Sequence, residues 1–480
     1  MRIKTFIVII FTATMILGAM GTAVGGKVDI SPFIKEINSN PPQDRARLLG
    51  WKRELVDAEF PQTREQAMDI LAKTYPGKSE DRLAALLDDP AVTYIEINGE
   101  RRYFDQFLKN IWFRTPTLFW EQTKGKRPFF DSLENIVFPV PGSGYPSKWI
   151  KPYINPVDYQ GNITIAIPRK KLPEAGVVEI WVPLPISTSS QKWPRLLALF
   201  PEKFVTTVPR LDGDIGYVHF AFPMQELEGD LKISVDFSFS HYQQRFIVDP
   251  EKVLPYDKSS PEYRHYTRSY GNTTFTPEMT AAARQITEGE TNPYLAAQRI
   301  YTYIVDTIPY SFVPHLTVQI LGIPESVYVY KHGHGDCGAQ SMYFSALCRS
   351  LGIPARSTGG YQAVPGYEGT HFWAEFYVEG YGWLPVDTTV AETVDWTAEV
   401  TREQRRTFKK FFFGNLDPYR FVIQKDVDTI LNPVPQESML TDNMPLLVLQ
   451  SPAIVCTTCD QNPFITIDEH TSVTYYPVDR

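Results

Sequence analysis

The chain has 480 residues, 43% of them apolar and 21% charged, which describes folded domains rather than a disordered or fibrous polymer. That length exceeds what one core serves and predicts two to four domains. A net charge of −8 with no basic surface stripe excludes a nucleic-acid binder, which needs Lys and Arg to displace counterions from phosphates.

Residues 1–26 read as a targeting segment. Arg2 and Lys4 precede an uncharged run from Thr5 to Gly26 with the apolar heart FIVIIFTATMIL, and small residues follow around Ala19, Gly21 and Ala23. This is the layout of a signal peptide, and the run is long enough to serve as an N-terminal anchor instead. The chain is therefore expected to be exported, either secreted or held at the cell surface, with membrane attachment through residues 5–26 as the second form.

Residues 28–135 are expected to be mainly helical. Ser31-Pro32 opens a helix, and Thr63 with Gln66 forms a capping box ahead of Ala67, Met68, Ile70 and Leu71. Asn98-Gly99 supplies a left-handed turn between VTYIEI and ERRYF. No chemistry is legible here, and packing or interaction is the plain reading.

From 136 to 255 the period changes to two. Leu231, Ile233, Val235, Phe237 and Phe239 alternate with Lys232, Ser234, Asp236, Ser238 and Ser240, as a strand with one buried face requires. ITIAIP, VVEIWVPLP and GYVHFAF complete a β-rich, sandwich-like module. Helices return at Thr276-Pro277 and Asn292-Pro293, each a cap residue followed by proline. The basic cluster of Arg402, Arg405, Arg406, Lys409 and Lys410 reads as a solvated helix face.

The chemistry concentrates between 330 and 390. Asp336 is a cap residue, and GAQSMYFSALCRSLG is a helix with a buried stripe of Ala339, Met342, Tyr343, Ala346 and Leu347. Cys337 thus sits in the first turn, where unpaired N–H groups and the helix dipole favour the thiolate and can hold an oxyanion. THFWAEFYVEGYGWLPVDTT reads as a hairpin turning at Glu379-Gly380-Tyr381-Gly382, which carries Asp387 back toward His371. A carboxylate on one imidazole nitrogen fixes the tautomer and leaves the other nitrogen for a thiol. Trp373 and Trp383 fall on the same strand faces and read as packing or cleft wall.

The remaining candidates read more plainly. Cys348 repeats the helix face of Cys337 and is expected in the core. His332 and His334 with Asp336 are weak evidence for a metal or an alternative base, so no metal and no cofactor is assigned. Cys456-Thr-Thr-Cys459 lacks a second ligand pair and reads as a local disulfide or two plain thiols. The sequons at Asn162 and Asn272 are patterns that arise by chance.

The blocks GDCGAQSMYFSALCRSLGIPAR, HFWAEFYV and GWLPVDTT, in this order, resemble the catalytic core of the transglutaminase-like superfamily over residues 262–425. The resemblance implies an α+β, papain-like core in which a helix-borne cysteine packs on an antiparallel sheet. It places the family nucleophile on Cys337, its histidine on His371 and its aspartate on Asp387. Two departures stand out: Gly338-Ala339-Gln340 where an acidic pattern is more usual, and Phe372 where a small residue is commoner. Both are expected to reshape the pocket and to leave the triad intact. Residues 426–480 form a C-terminal extension bearing the CxxC.

The expected function is acyl transfer through a thioester on Cys337, acting on a protein or peptide by hydrolysis. Cross-linking as a protein-glutamine gamma-glutamyltransferase is the nearest alternative. A non-catalytic cell-surface binding or assembly protein is the alternative of another class.

Overall fold

The computed structural model describes residues 26–90, 92–138, 152–365, 367–433, 450–456, 458–463, 467 and 469–478. The targeting segment expected at 1–26 lies outside the described residues apart from Gly26. No described helix is long and apolar enough to cross a membrane.

The first part is helical around one small sheet. Helices α1 (Ser31–Ile37) and α2 (Gln43–Glu59) lead to β1 (Gln62–Thr63), α3 (Arg64–Thr74), α4 (Glu80–Leu87) and the hairpin β2 (Tyr94–Ile97) and β3 (Glu100–Tyr103). Helices α5 (Phe107–Arg114), α6 (Pro116–Thr123) and α7 (Pro128–Val137) follow. The capping box forms: Thr63 accepts from the Gln66 N–H, and the Gln66 side chain accepts from the Thr63 N–H. Asn98 and Gly99 both take positive φ, 53° and 83°, the geometry a two-residue hairpin turn demands.

The second part is two antiparallel sheets. Strands β4 (Tyr153–Ile167), β5 (Val177–Pro183), β6 (Gln191–Phe200), β7 (Tyr217–Pro223) and β8 (Leu231–Arg245) supply most of them. One sheet runs β12-β8-β4-β15 with β6 also paired to β8, and the other runs β14-β5-β7. Their inner faces share a core that includes Ile163, Ile180, Phe220 and Phe237. Strand β6 does not follow the two-residue alternation cleanly. Trp193 takes a positive φ beside Pro194, and the pairing to β8 slips twice along the strand. Asn272, one of the two sequons' asparagines, is buried and donates its side-chain amide to Asp428, so it is no accessible acceptor.

The third part carries the expected site. Helices α8 (Pro261–Tyr266), α9 (Pro277–Ile286), α10 (Pro293–Thr307), α11 (His315–Ile320) and α12 (Glu325–His332) surround α13 (Cys337–Ser350). Thr276 and Asn292 cap their helices through side-chain oxygens as the cap-proline pairs predict. Helix α13 is buried from Gly338 through Arg349 and packs on the sheet β11-β10-β9-β13. That sheet comprises β9 (Ala355–Val364), β10 (Tyr367–Val378), β11 (Gly382–Val386) and β13 (Arg420–Gln424). Between them lie α14 (Thr388–Glu392), α15 (Arg402–Phe411) and β12 (Asn415–Leu416).

This sheet is covered on both faces. Val364, Trp373, Phe376 and Val422 join the core around α13, while Tyr361, Ala363, Phe421 and Ile423 join the core of the β sheets. Strand β9 is accordingly buried at all ten positions. The C-terminal residues add a strand to each β sheet: β14 (Ala453–Val455) pairs with β5, and β15 (Thr471–Val478) pairs with β4. Cys456 and Cys459 form a disulfide directly after β14.

Candidate active site

Asp336 opens α13, and its Oδ1 accepts the Ala339 N–H at 3.1 Å. The cap fixes where the helix starts and leaves Cys337 in the first helical position, half-buried while the rest of the helix is covered. First-turn N–H groups have no intrahelical acceptor, so they face whatever sits above the sulfur.

His371 lies on β10, and Asp387 follows the end of β11. The register Glu375↔Pro385 and Tyr377↔Trp383 closes the hairpin as expected. His371 Nε2 lies 2.8 Å from Asp387 Oδ2. That contact occupies Nε2 and leaves Nδ1 as the nitrogen for the thiol. Burial alone would lower the pKa of His371; the Asp387 charge and hydrogen bond, with a smaller share from Cys337, outweigh it and raise it to about 9. Asp387 is held well below the carboxylate range: burial opposes this, and the His371 and Arg420 charges overcome it. Its Oδ1 accepts the Val390 N–H at 2.9 Å, which makes Asp387 the cap of α14 as well as the partner of His371.

Cys337 and His371 line one narrow cleft of ≈ 80 Å³. Its other lining residues include Gln362, Glu368, Gly369, Thr370, Tyr310, Thr393, Trp396 and Phe129. Phe372 is not among the residues that line this cleft. Its ring packs with Met342 and Val427 and flanks Cys337, and it fills the space where a Cβ on Gly359 would stand, 2.5 Å away. Gly360 is equally constrained, because a Cβ there would meet the Phe421 carbonyl at 1.8 Å.

Several residues of the site have no legible signal in the sequence. Arg420, fully buried on β13, sets Nη1 2.7 Å from Asp387 Oδ2 and Nη2 2.7 Å from Asp417 Oδ2. Its guanidinium also lies over the Trp373 ring, 5.0 Å from the centroid. Gln450 donates its amide to the backbone carbonyls of His371 and Gly360, both at 2.9 Å. His315 bridges Asp336 (2.6 Å) and Glu325 (2.8 Å) beside the start of α13.

The other candidates fall elsewhere. Cys348 is fully buried, and burial pushes its thiol pKa well up. His332 and His334 pack beside Tyr328 and do not line the cleft, and burial lowers the His334 pKa to about 3. No group of metal-ligating side chains occurs among the described residues. Trp373 is buried against His371, with ring centroids 6.1 Å apart. Trp383 packs away from the cleft, between Tyr266 and Tyr377 with Arg356 over its face. Three of the basic residues on α15 sit in local ion pairs, Lys409 with Asp395 and Asp306, Arg405 with Asp395 and Arg406 with Glu403.

Cys337 at the tip of α13 and His371 on the antiparallel sheet thus line one cleft. Residues 280–388 match the model of the transglutaminase-like superfamily. No curated protein matches the chain. Among solved structures, a candidate cysteine protease of Cytophaga hutchinsonii is similar at 13% identity and a TM-score of 0.41, with 68% of this chain and 92% of that one covered. The periplasmic domain of TgpA from Pseudomonas aeruginosa is similar at 12% identity and a TM-score of 0.25, with 53% and 92% covered.

Proposed function

We propose that the protein is an exported cysteine enzyme that transfers acyl groups through a thioester on Cys337, with His371 and Asp387 as its partners. The observation that carries this reading is the 2.8 Å contact of His371 Nε2 with a buried Asp387 at the wall of the cleft that holds Cys337. The Cys337 sulfur attacks a carbonyl carbon, and the oxyanion is received by N–H groups at the start of α13. The C–N bond breaks as the leaving amine takes the proton from His371, and a thioester remains. His371 then takes a proton from water as the water attacks, and the C–S bond breaks to release the acid and return the Cys337 thiolate beside the protonated His371. With its pKa near 9, His371 holds that proton at neutral pH.

Hydrolysis of a protein or peptide is the preferred outcome, and capture of the thioester by a lysine amine is the second. Export rests on the composition of residues 1–26. The test combines a peptide or casein substrate with a labelled amine and compares the wild type with Cys337→Ala. Cleavage lost in the variant supports hydrolysis, and amine incorporation without cleavage replaces it with cross-linking. Conversion that survives Cys337→Ala removes the enzymatic reading. Iodoacetamide that modifies Cys337 no faster than Cys348 favours a non-catalytic surface protein instead.

A further inference from the structure

The helices before the β sheets look separable in the sequence, yet they are bound into the cleft. Their Phe33, Val56, Phe104, Phe130 and Leu133 belong to the same continuous core as Tyr343, Phe376 and Val422 around α13. Polar contacts reinforce the joint. Asn110 exchanges two hydrogen bonds with the backbone of Phe312, at 3.0 and 2.8 Å, and the Glu59 carboxylate accepts the Leu316 and Thr317 N–H groups. A segment that merely covered an active site and later left it would strand this apolar surface in water. The joint is a permanent one.

Its position bears on the chemistry. Phe113 packs edge-on to Tyr310 at 4.8 Å and against Trp396 at 4.7 Å, and both of those rings line the cleft. Trp120 fixes Trp396 further by donating its indole N–H to the Trp396 carbonyl at 2.6 Å. Phe129, on α7, reaches the cleft itself and stands in its lining with Cys337 and His371. Ser132, one turn on, donates to the Pro365 carbonyl at 3.3 Å, in the turn before Glu368 and Thr370, which also line the cleft.

We infer that the N-terminal helices are a fixed wall of the substrate cleft, and that Phe129 limits the size of the group admitted above Cys337. This rests on Cys337 being the nucleophile. It implies an enzyme selective for slim acyl groups or extended chains with small side chains at the scissile position, excluding bulky ones by contact with an aromatic ring.

The experiment uses the full chain and two reagents of identical chemistry, iodoacetamide and a fluorescein-bearing iodoacetamide, with Cys337→Ala defining the site of labelling. In Phe129→Ala the ratio of the bulky to the small reagent's rate at Cys337 is expected to rise roughly tenfold, the scale of one relieved steric clash. Phe129→Leu should give a smaller rise. Cys348 reports on folding, since it labels only if the core opens; if Phe129→Ala exposes it, Phe129→Leu decides. A reactive Cys337 whose ratio is unmoved in the folded variant overturns the wall and leaves the nucleophile standing. A Cys337 that labels no faster than Cys348 in the wild type overturns both.

Discussion

Arg420 and His371 meet on a single oxygen: Arg420 Nη1 lies 2.7 Å, and His371 Nε2 2.8 Å, from Oδ2 of Asp387. All three side chains are buried, so the carboxylate is held by two cationic partners and by the Val390 N–H on its other oxygen. An anion this deep persists only when it is compensated.

Removing that compensation should be costly. Arg420→Met leaves Asp387 and Asp417 buried without their shared cation, and a loss of about 3–5 kcal/mol in unfolding free energy is expected. Arg420→Lys keeps the charge but cannot reach both carboxylates as a fork, so it should fall between the two. Urea unfolding midpoints check the order. If the Lys variant also labels Cys337 more slowly than wild type while remaining folded, Arg420 positions Asp387 rather than only holding the fold.

The His371–Asp387 pair predicts a pH dependence with a definite sign. The pKa of His371 rises from 6.5 to about 9 on folding, so its stabilising contribution is complete below pH 6.5 and is lost as pH climbs through 9. Asp387 shifts the opposite way, and its contribution is already complete above its ordinary 3.8. Stability measured between pH 6.5 and 9.5 should therefore fall in the wild type and fall much less in Asp387→Asn. A flat wild-type profile contradicts the assignment.

Glu392 offers a test of protonation. Gln340 spends its Nε2 on the Ile308 and Gly335 carbonyls, both at 3.1 Å, and its Oε1 and the Glu392 Oε1 are both buried without a donor. Burial drives the Glu392 pKa well up, against the hydrogen bond from the Tyr310 N–H. The other Glu392 oxygen accepts the Tyr310 N–H at 2.8 Å, so this carboxyl holds a wall of the cleft. Glu392→Gln should keep near-native stability and lose the wild type's destabilisation as pH rises above about 4.5. Glu392→Ala should cost about 1–3 kcal/mol, the penalty of stranded buried polar groups.

His315 sits between Asp336 and Glu325, and Asp336 is the cap that sets the position of Cys337. Burial would lower the imidazole's pKa, but the two carboxylates overcome it and raise it. His315→Gln keeps a donor and removes the charge. It should slow Cys337 alkylation through neutral pH, where the wild-type imidazole is charged, and the difference should close only at a pH high enough to discharge it, whereas an equal effect at every pH would reduce His315 to packing.

The features legible in the sequence are those written in neighbouring residues. Asp336, Asn98-Gly99, the Thr63 capping box and the hairpin joining β10 to β11 each depend on a few contiguous side chains, and each forms. Arg420, His315, Glu392 and Gln450 depend on partners brought together by the fold, and nothing beside them in the chain distinguishes a buried cation from a solvated one. His332 and His334 drew attention by their spacing, while His315, with no motif around it, is the histidine that touches Asp336. Strand β6 was obscured by Pro194 and by the bulges that its pairing to β8 tolerates at an exposed edge.

The strand β15 beside β4 has a consequence for how the chain is made. Tyr476 meets Gln160 across a separation of 316 residues, and the core segment 280–388 that matches the superfamily model lies between them. The sheet that begins with β4 is therefore completed only after the core has left the ribosome, and loop closure over that distance is a slow step. Until then the open edge of β4 is a site where a second chain can pair, so yield in expression should depend more on the order of synthesis than on the stability of the finished protein.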